Sequence, residues 1–498
     1  MNEIAFERYV WVAVIAYMAL ILFFVVKGAL KTKSISDYAL GNIAFSPVAV
    51  GLALAASMTS AATFIINPGF IAYYGLSGFI SFGLVLSVGA LLSLIVITKG
   101  FRKVGTSVQA LTMAQWIGNR YENKSYALFF GFVSLLLVTF IVLICVGLSK
   151  LLSRALNVDE VHVLIVTIVF IFGYMMFGGA NSMVYTNMIQ ASLMLVVAII
   201  LLTSGNEHFE QGIAGFLDKL RAIDPLLTQT TNAESPLFRD FFEIFFCQFV
   251  VGVAIVCQPH IITKSLLLKN DRQVNTYLVV GVIVEFLFFL VVFTGLYARI
   301  EFPELTDEQG AMGVDSVLSA YVVRKFTTGI GVLVVMGLIS AGLSTLEGLI
   351  QSLSTTITHD VIEPIFGKPR IPGILLNRLT IFGLAVIAGI FSYRQLVAPD
   401  LSVGIFAQNG VYAYFSAAFV PVLFGTFLKA VPLHVPVTSS VAAIIIHFGV
   451  YYGRLTPYMQ ETIRNPAIAS TLAILGSLLL GTALYGLAKR KAQKVSVV

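Results

Sequence analysis

The sequence predicts an all-α membrane protein, a bundle of about thirteen transmembrane helices built around two oppositely oriented groups of five. Three observations carry this. Hydrophobic residues make up 58% of the 498 residues and charged residues only 11%, with a mean hydropathy of +0.92. Apolar runs of roughly 20 residues, the length that crosses a bilayer, recur from end to end. Two of these runs, one in each half of the chain, carry a proline beside polar residues where lipid could not satisfy the freed backbone groups.

In chain order the spans fall near 8–30, 45–74, 76–99, 125–149, 160–178, 182–204, 240–262, 274–299, 328–357, 374–393, 401–427, 434–453 and 467–488. Glu3 and Glu7 precede the first run and Lys27, Lys31 and Lys33 follow it, so it reads as a retained helix with the N-terminus outside. From that start Lys99, Arg102, Lys103, Arg120, Lys124, Lys264, Lys269, Arg272, Lys368, Arg370, Arg378, Lys489, Arg490, Lys491 and Lys494 share one side. Glu207, Glu210, Asp218, Asp224, Glu301, Glu304, Asp307 and Glu308 share the other. The positive side is cytoplasmic, which puts the C-terminus inside a cell (inner or plasma) membrane.

The net charge of +6 is thereby accounted for by cytoplasmic loops, and no basic, aromatic-interleaved patch for nucleic acid is present. Cys145, Cys247 and Cys257 lie in or beside spans without metal or disulfide spacing, so small apolar packing is their expected role. The longer loops, near 205–239 and 300–327, are too short for an ordinary enzyme domain. No HExxH, GxSxG or GxxxxGK[ST] pattern occurs, so an enzyme reading has no residues to rest on. Function is left to polar residues and helix breaks within the bundle.

The first break signal lies in Gly51 to Phe70, GLALAASMTSAATFIINPGF, where Ser57, Thr59, Ser60 and Thr63 precede Asn67-Pro68-Gly69. Pro68 has no amide hydrogen and Gly69 tolerates most backbone angles, so the break is expected there, with carbonyls facing protein, water or an ion. Gln258-Pro259-His260 interrupts a second span. Five spans in 45–204 and five in 240–427 force the halves into opposite orientation, the arithmetic of an inverted repeat. The single transporter domain 1–498 then comprises an extra N-terminal helix and loop (1–44), the first repeat, an external loop (205–239), the second repeat and two C-terminal helices (428–498).

Within 328–357, Ser340-Ala341-Gly342-Leu343-Ser344-Thr345 sets Ala341, Ser344 and Thr345 at i, i+3 and i+4, so one face offers a carbonyl beside two hydroxyls. A small hard cation needs several converging oxygen dipoles rather than a full negative charge. The alternative is that both hydroxyls bond back to carbonyls one turn earlier and let helices pack closely.

Several segments in this order resemble the sodium:solute symporter family. Ser36-Asp37-Tyr38-Ala39-Leu40-Gly41-Asn42 resembles the family's SxDYxLGG segment, with Asn42 replacing a glycine. Leu111 to Ile117, followed by Asn119-Arg120-Tyr121, resembles TLPEYLxxRF, with Gln115 in place of the glutamate. Gln258-Pro259-His260-Ile261 is similar to the proline-transporter branch, and Phe415 to Gly425, FSAAFVPVLFG, to the late signature. The resemblance implies a leucine-transporter-like 5+5 inverted repeat core. It also implies a sodium ion held by the carbonyls of Ala56, Thr59 and Ala341 and the hydroxyls of Ser344 and Thr345, with a small-molecule solute next door against Met58, Ser60, Thr63 and Gln258.

Two departures narrow this. Several relatives carry an aspartate for a further cation on the fifth core helix where this chain has Asn187, and proline transporters have an aspartate at Met58. Asn187 and Glu347 are candidate coupling residues; Glu347 and Glu285 are acids within spans, each with a packing alternative. His260 is expected at a cytoplasmic surface or gate, and Arg378 as a headgroup anchor or a cap on a neighbour. The expected activity is sodium-coupled import of a carboxylate, amino acid or vitamin-like acid by alternating access, from a functional monomer in the lipid bilayer. A proton-driven carrier using Glu347, or a transporter-like membrane sensor, is the alternative.

Overall fold

A computed structural model describes residues 3–41, 44–268, 270, 272–307, 310–367, 370–399 and 401–495. Asn42, Lys269, Glu308 and Lys368 lie outside the described residues. The main helices are α1 (Glu3–Ala29), α2 (Pro47–Met58), α3 (Asn67–Tyr74), α4 (Leu86–Ser107), α5 (Val138–Leu156), α6 (Glu160–Met175), α7 (Ala180–Thr203), α8 (Gln248–Ile255) and α9 (Pro259–Ile262). They continue as α10 (Gln273–Leu290), α11 (Thr328–Thr356), α12 (Gly373–Val397), α13 (Val403–Phe427), α14 (His434–Gly453) and α15 (Pro466–Val495). Among the described residues ten helices are long and apolar enough to cross a bilayer, or up to 12 if each of two bent pairs is one span. The remaining expected span, 160–178, is met by α6, whose 16 residues reach about 24 Å at the helical rise, short of a full hydrocarbon core.

Both expected interruptions are real bends: Pro47–Met58 meets Ala62–Tyr74 at 54°, and Phe242–Ile255 meets Pro259–Leu267 at 56°. The first bend is not at Asn67-Pro68-Gly69, however. It lies at Thr59-Ser60, where Thr59 is extended (φ -87, ψ 108) and ends α2. Ser60 turns the chain, its hydroxyl accepting from the Ala62 amide at 3.0 Å. A wide π turn over Ala62–Ile66 then places Pro68 in the first turn of α3.

Gly69 serves packing instead, since a Cβ there would stand 1.8 Å from the Val314 carbonyl oxygen. A reciprocal contact joins α4 and α8: a Cβ on Gly252 would meet the Leu86 carbonyl oxygen at 2.4 Å, and one on Gly89 the Phe249 carbonyl oxygen at 2.7 Å. Small residues let these backbones touch where lipid gives no hydrophobic drive between helices. Helix α2 packs against α7, α10 and α11, at the centre of the bundle.

The two longer connections are partly structured. Gly212–Ile223 is a helix, and β1 (Thr306–Asp307) pairs antiparallel with β2 (Gly310–Ala311) before the helix Val317–Lys325. Two ion pairs tie this end of α5 to the 300–316 segment: Arg154 with Asp307 at 2.6 Å and Lys150 with Asp315 at 3.5 Å. At the opposite end Thr112 donates to Asp360 at 2.6 Å, and Arg120 donates to the carbonyls of Gly425 (2.8 Å) and Leu428 (2.6 Å).

Two residues assigned to cytoplasmic loops by charge are in fact inside the protein. Arg102 is buried and donates to the Leu268 carbonyl at 2.7 Å, and Lys264 is buried in the inner half of the second bent span. His260 is likewise buried rather than at a surface, its ring 6.0 Å from that of Phe140. Arg378 does cap a neighbour: its Nε donates to the Met176 carbonyl at 3.1 Å and its guanidinium lies 4.8 Å from the Phe177 ring. The three cysteines are free and buried.

Candidate cation site and solute pocket

Thr59 ends α2 without a continuing helix, so carbonyls near that end are released from helical partners. Opposite them runs α11, unbroken through Ala341, Ser344 and Thr345, all fully buried. The Ser344 hydroxyl donates to the Ala56 carbonyl at 2.7 Å and lies 3.1 Å from the Ala341 carbonyl. Thr345 Oγ1 stands 3.5 Å from Ala56 O, 3.4 Å from Ser57 O, 3.3 Å from Thr59 O and 3.2 Å from Ala341 O. The five oxygens expected to converge are therefore one cluster, and Ser57 O joins them. The back-bonding alternative also occurs, because both hydroxyls reach Ala341 O; it accounts for one carbonyl and not for the contacts across to α2.

Spacing shows what such a cluster can hold. Apart from the Ser344–Ala56 hydrogen bond at 2.7 Å, which an ion would have to part, the oxygen separations of 3.1–3.5 Å, taken as edges of an octahedral shell, correspond to an ion–oxygen distance of roughly 2.2–2.5 Å, within the range of hard cations on oxygen ligands. Every one of these oxygens is neutral, so the set suits a monovalent ion, by dipoles rather than by charge pairing.

Met58, Ser60, Thr63 and Gln258 are all buried around the two bends. Gln258 is the cap of α9; its Nε2 bonds to the Ile255 carbonyl at 3.2 Å while Oε1 has no partner among the described residues. No hydrogen bond joins Gln258 to Ser60 or Thr63 among the described residues, so these four remain separate groups rather than an assembled set.

Glu285 stands close by. Helices α2 and α10 run in step, since Cβ atoms built on Gly51 and Gly281 would meet Val280 and Leu54, and the rings of Phe64 and Phe288 lie 5.4 Å apart. That registry puts Glu285 level with the bend at Thr59-Ser60. The Thr59 hydroxyl is the hydrogen-bonding group that faces the Glu285 carboxylate, though neither carboxylate oxygen makes a hydrogen bond of ordinary geometry among the described residues.

A second network, partly missed from sequence, surrounds Glu347. Its carboxylate accepts from Tyr174 Oη (2.7 Å), Thr186 Oγ1 (2.7 Å) and Gln190 Nε2 (3.2 Å). In one amide orientation Asn187 Nδ2 donates to Ser57 Oγ at 3.2 Å; the orientation that satisfies both ends of the amide turns the nitrogen toward Glu347 Oε2 (3.0 Å) and Gln190 Oε1 (2.7 Å). The amide oxygen then accepts from Lys264 Nζ at 3.1 Å and Ser57 Oγ at 3.2 Å. Thr186, Asn187 and Gln190 lie at i, i+1 and i+4 within a mostly apolar helix, a signal present in the sequence. Lys264 gave none, because a lysine near the inner end of a span matches the loop pattern.

Comparisons with known proteins bear on the fold and the family. The chain is similar to the sodium/pantothenate symporter of Escherichia coli (strain K12), 24% identical over 459 residues, covering 90% of each protein. It is also similar to the high-affinity proline transporter PutP of Bacillus subtilis (strain 168), 24% identical over 423 residues, covering 82% of this chain and 84% of that one. Its fold is that of a Na+-coupled sialic acid symporter solved in a substrate-bound outward-open state. There the TM-score is 0.76 at 16% identity, covering 96% of this chain and 98% of that chain. This is the leucine-transporter-like 5+5 core, with a bent helix opening each half. The model of the sodium:solute symporter family matches residues 38–432, and the chain belongs to that family.

Proposed function

We propose that the chain is a sodium-coupled symporter that imports a small organic solute by alternating access, and that the ion binds between α2 and α11. The observation that carries this is the convergence of Ala56 O, Thr59 O and Ala341 O with the Ser344 and Thr345 hydroxyls. Sodium entering the cluster ties the end of a bent helix to a straight one. The straight helix belongs to the second repeat, 240–427, and the bent one to the first, 45–204. An ion that favours one relative position of these helices over another shifts the conformational equilibrium by its difference in affinity, which is the whole of its leverage.

Met58, Ser60, Thr63, Gln258 and Glu285 supply the solute side, on the same bends that the ion holds. A solute carboxylate would be met by hydroxyl and amide donors and its own donor groups by Glu285 and Gln258 Oε1. The relatives named for pantothenate and proline support a solute bearing a carboxylate. In this reading the acidic loops face outside, with the ion pairs of Lys150 and Arg154 at that end, and Lys489 and Arg490 face the cytoplasm.

One sodium suffices as a drive. Moving one charge inward across 100 mV releases about 2.3 kcal/mol, roughly fifty-fold accumulation of a neutral solute before the sodium gradient is counted. Uptake into membrane vesicles over a panel of small carboxylic and amino acids, with sodium replaced by choline, tests the assignment. Accumulation that requires an inward sodium gradient is expected; accumulation that follows a proton gradient and ignores sodium would favour a proton-driven carrier.

A further inference from the structure

Lys264 and Glu347 are ionisable side chains inside the bundle, 3% and 1% exposed, and Asn187 between them is fully buried. An isolated charge at such a place is costly, so each must be balanced by something in the protein. The balance runs through one amide. Asn187 accepts from the Lys264 ammonium with its oxygen (3.1 Å) and donates to the Glu347 carboxylate with its nitrogen (3.0 Å). The opposite amide orientation would set an N–H against the ammonium, donor against donor, so ammonium and carboxylate together fix which way Asn187 points.

This chain of contacts ends at the oxygen cluster. Ser57 Oγ lies 3.2 Å from the Asn187 oxygen and 3.2 Å from the Ser344 carbonyl. Glu347 follows Thr345 by two residues on α11, and a Cβ on Gly348 would lie 3.5 Å from Ser57 Oγ. Both charges are thus within a few hydrogen bonds of the place where the cation would sit, on its cytoplasmic-half side, in surroundings that screen poorly. Balanced, they cancel at the cluster; unbalanced, either one acts on the ion with its own sign.

We propose that Lys264 and Glu347, joined through Asn187, form a fixed ammonium–carboxylate couple that sets the affinity of the neighbouring oxygen cluster for its cation. The proposal rests on the cation reading of that cluster. Removing the carboxylate alone leaves an ammonium that repels the ion. Removing the ammonium alone leaves a carboxylate that attracts it. Removing both returns the cluster to neutral surroundings. A unit charge unbalanced at about 8–10 Å changes a cation equilibrium by about tenfold or more at the effective dielectric of a protein. Lys264 and Glu347 are positioning residues in this scheme and touch neither the ion nor the solute.

The test is sodium titration of the purified full chain, reading thermal stabilisation with choline as the replacement cation. Glu347→Gln is expected to raise the half-saturating sodium concentration about tenfold, Lys264→Met to lower it about tenfold, and the double variant to return to within about twofold of the parent. Lys264→Arg, which keeps the charge, should leave it unchanged. A network that is merely structural would weaken sodium binding in every variant, with no recovery in the double, and that result overturns the proposal. If Lys264→Met does not fold, the comparison of Glu347→Gln with the double variant decides: the double must bind sodium about tenfold more tightly, and equal affinities overturn the couple. A parent protein with no sodium response at all would overturn the cation reading of the cluster, whereas an equal response in all variants overturns only the couple.

Discussion

Thr345→Val removes one oxygen from the cluster and keeps a β-branched side chain of similar volume, so it separates ion binding from packing. Thr345 Oγ1 is within 3.2–3.5 Å of four carbonyl oxygens, but a single hydroxyl proton serves one of them at a time. Without an ion the substitution therefore costs about one neutral hydrogen bond, about 0.5–1.5 kcal/mol of stability. With an ion it removes a dipole facing a full charge, a loss of about 1.5–3 kcal/mol by analogy with hydrogen bonds to charged groups. The half-saturating sodium concentration should accordingly rise about ten- to 150-fold, read both from sodium-dependent thermal stabilisation and from sodium-dependent uptake. Thr345→Ser, which keeps the hydroxyl, should stay near the parent value. Parent-like sodium dependence in Thr345→Val would refute the argument, since Thr345 has the most contacts across the cluster.

Further expectations follow from other parts of the bundle. Gln258→Leu should raise the solute concentration for half-maximal uptake while leaving sodium-dependent stabilisation in place; a shift in sodium affinity instead would put Gln258 on the ion side. Gly69→Ala should lower expression or thermal stability markedly, because its Cβ would stand 1.8 Å from backbone at Val314; normal stability would mean that α3 can withdraw from that loop. Arg154→Ala, by removing its pair with Asp307, should raise the labelling rate of a single cysteine introduced at Ser60 by an impermeant reagent applied from outside. An unchanged labelling rate would remove this pair from the closure of the outer end.

Much of this arrangement is legible in the sequence because its causes are local. Apolar run length marks the spans, and the i, i+3, i+4 spacing of Ala341, Ser344 and Thr345 marks the face that meets α2. The first bend was misplaced by eight residues because Pro68 is the visible breaker, whereas the bend is set by Thr59 and Ser60. The π turn at Ala62–Ile66 absorbs the proline, and hydroxyl residues that end a helix look the same as hydroxyl residues that continue one. Lys264 is expected in a cytoplasmic loop and His260 at a cytoplasmic surface or gate because a one-dimensional rule places polar groups by distance from a span end. Their burial comes from the 56° bend, which folds the inner half back against α2 and α11. Lys264 then meets Asn187, a contact between distant segments that no spacing rule encodes. Arg102 is a similar case, held inside by the Leu268 carbonyl on that same bent segment.

The most direct test of the central claim is radioactive sodium entry into proteoliposomes that hold the purified protein, with and without a transported solute outside. Solute should accelerate sodium entry in the parent protein, with a fixed ratio between the two fluxes, and the acceleration should be lost in the Ser344→Ala, Thr345→Ala double variant. Solute entry that proceeds without accompanying sodium, or that persists at the parent's sodium dependence in that double variant, would contradict it.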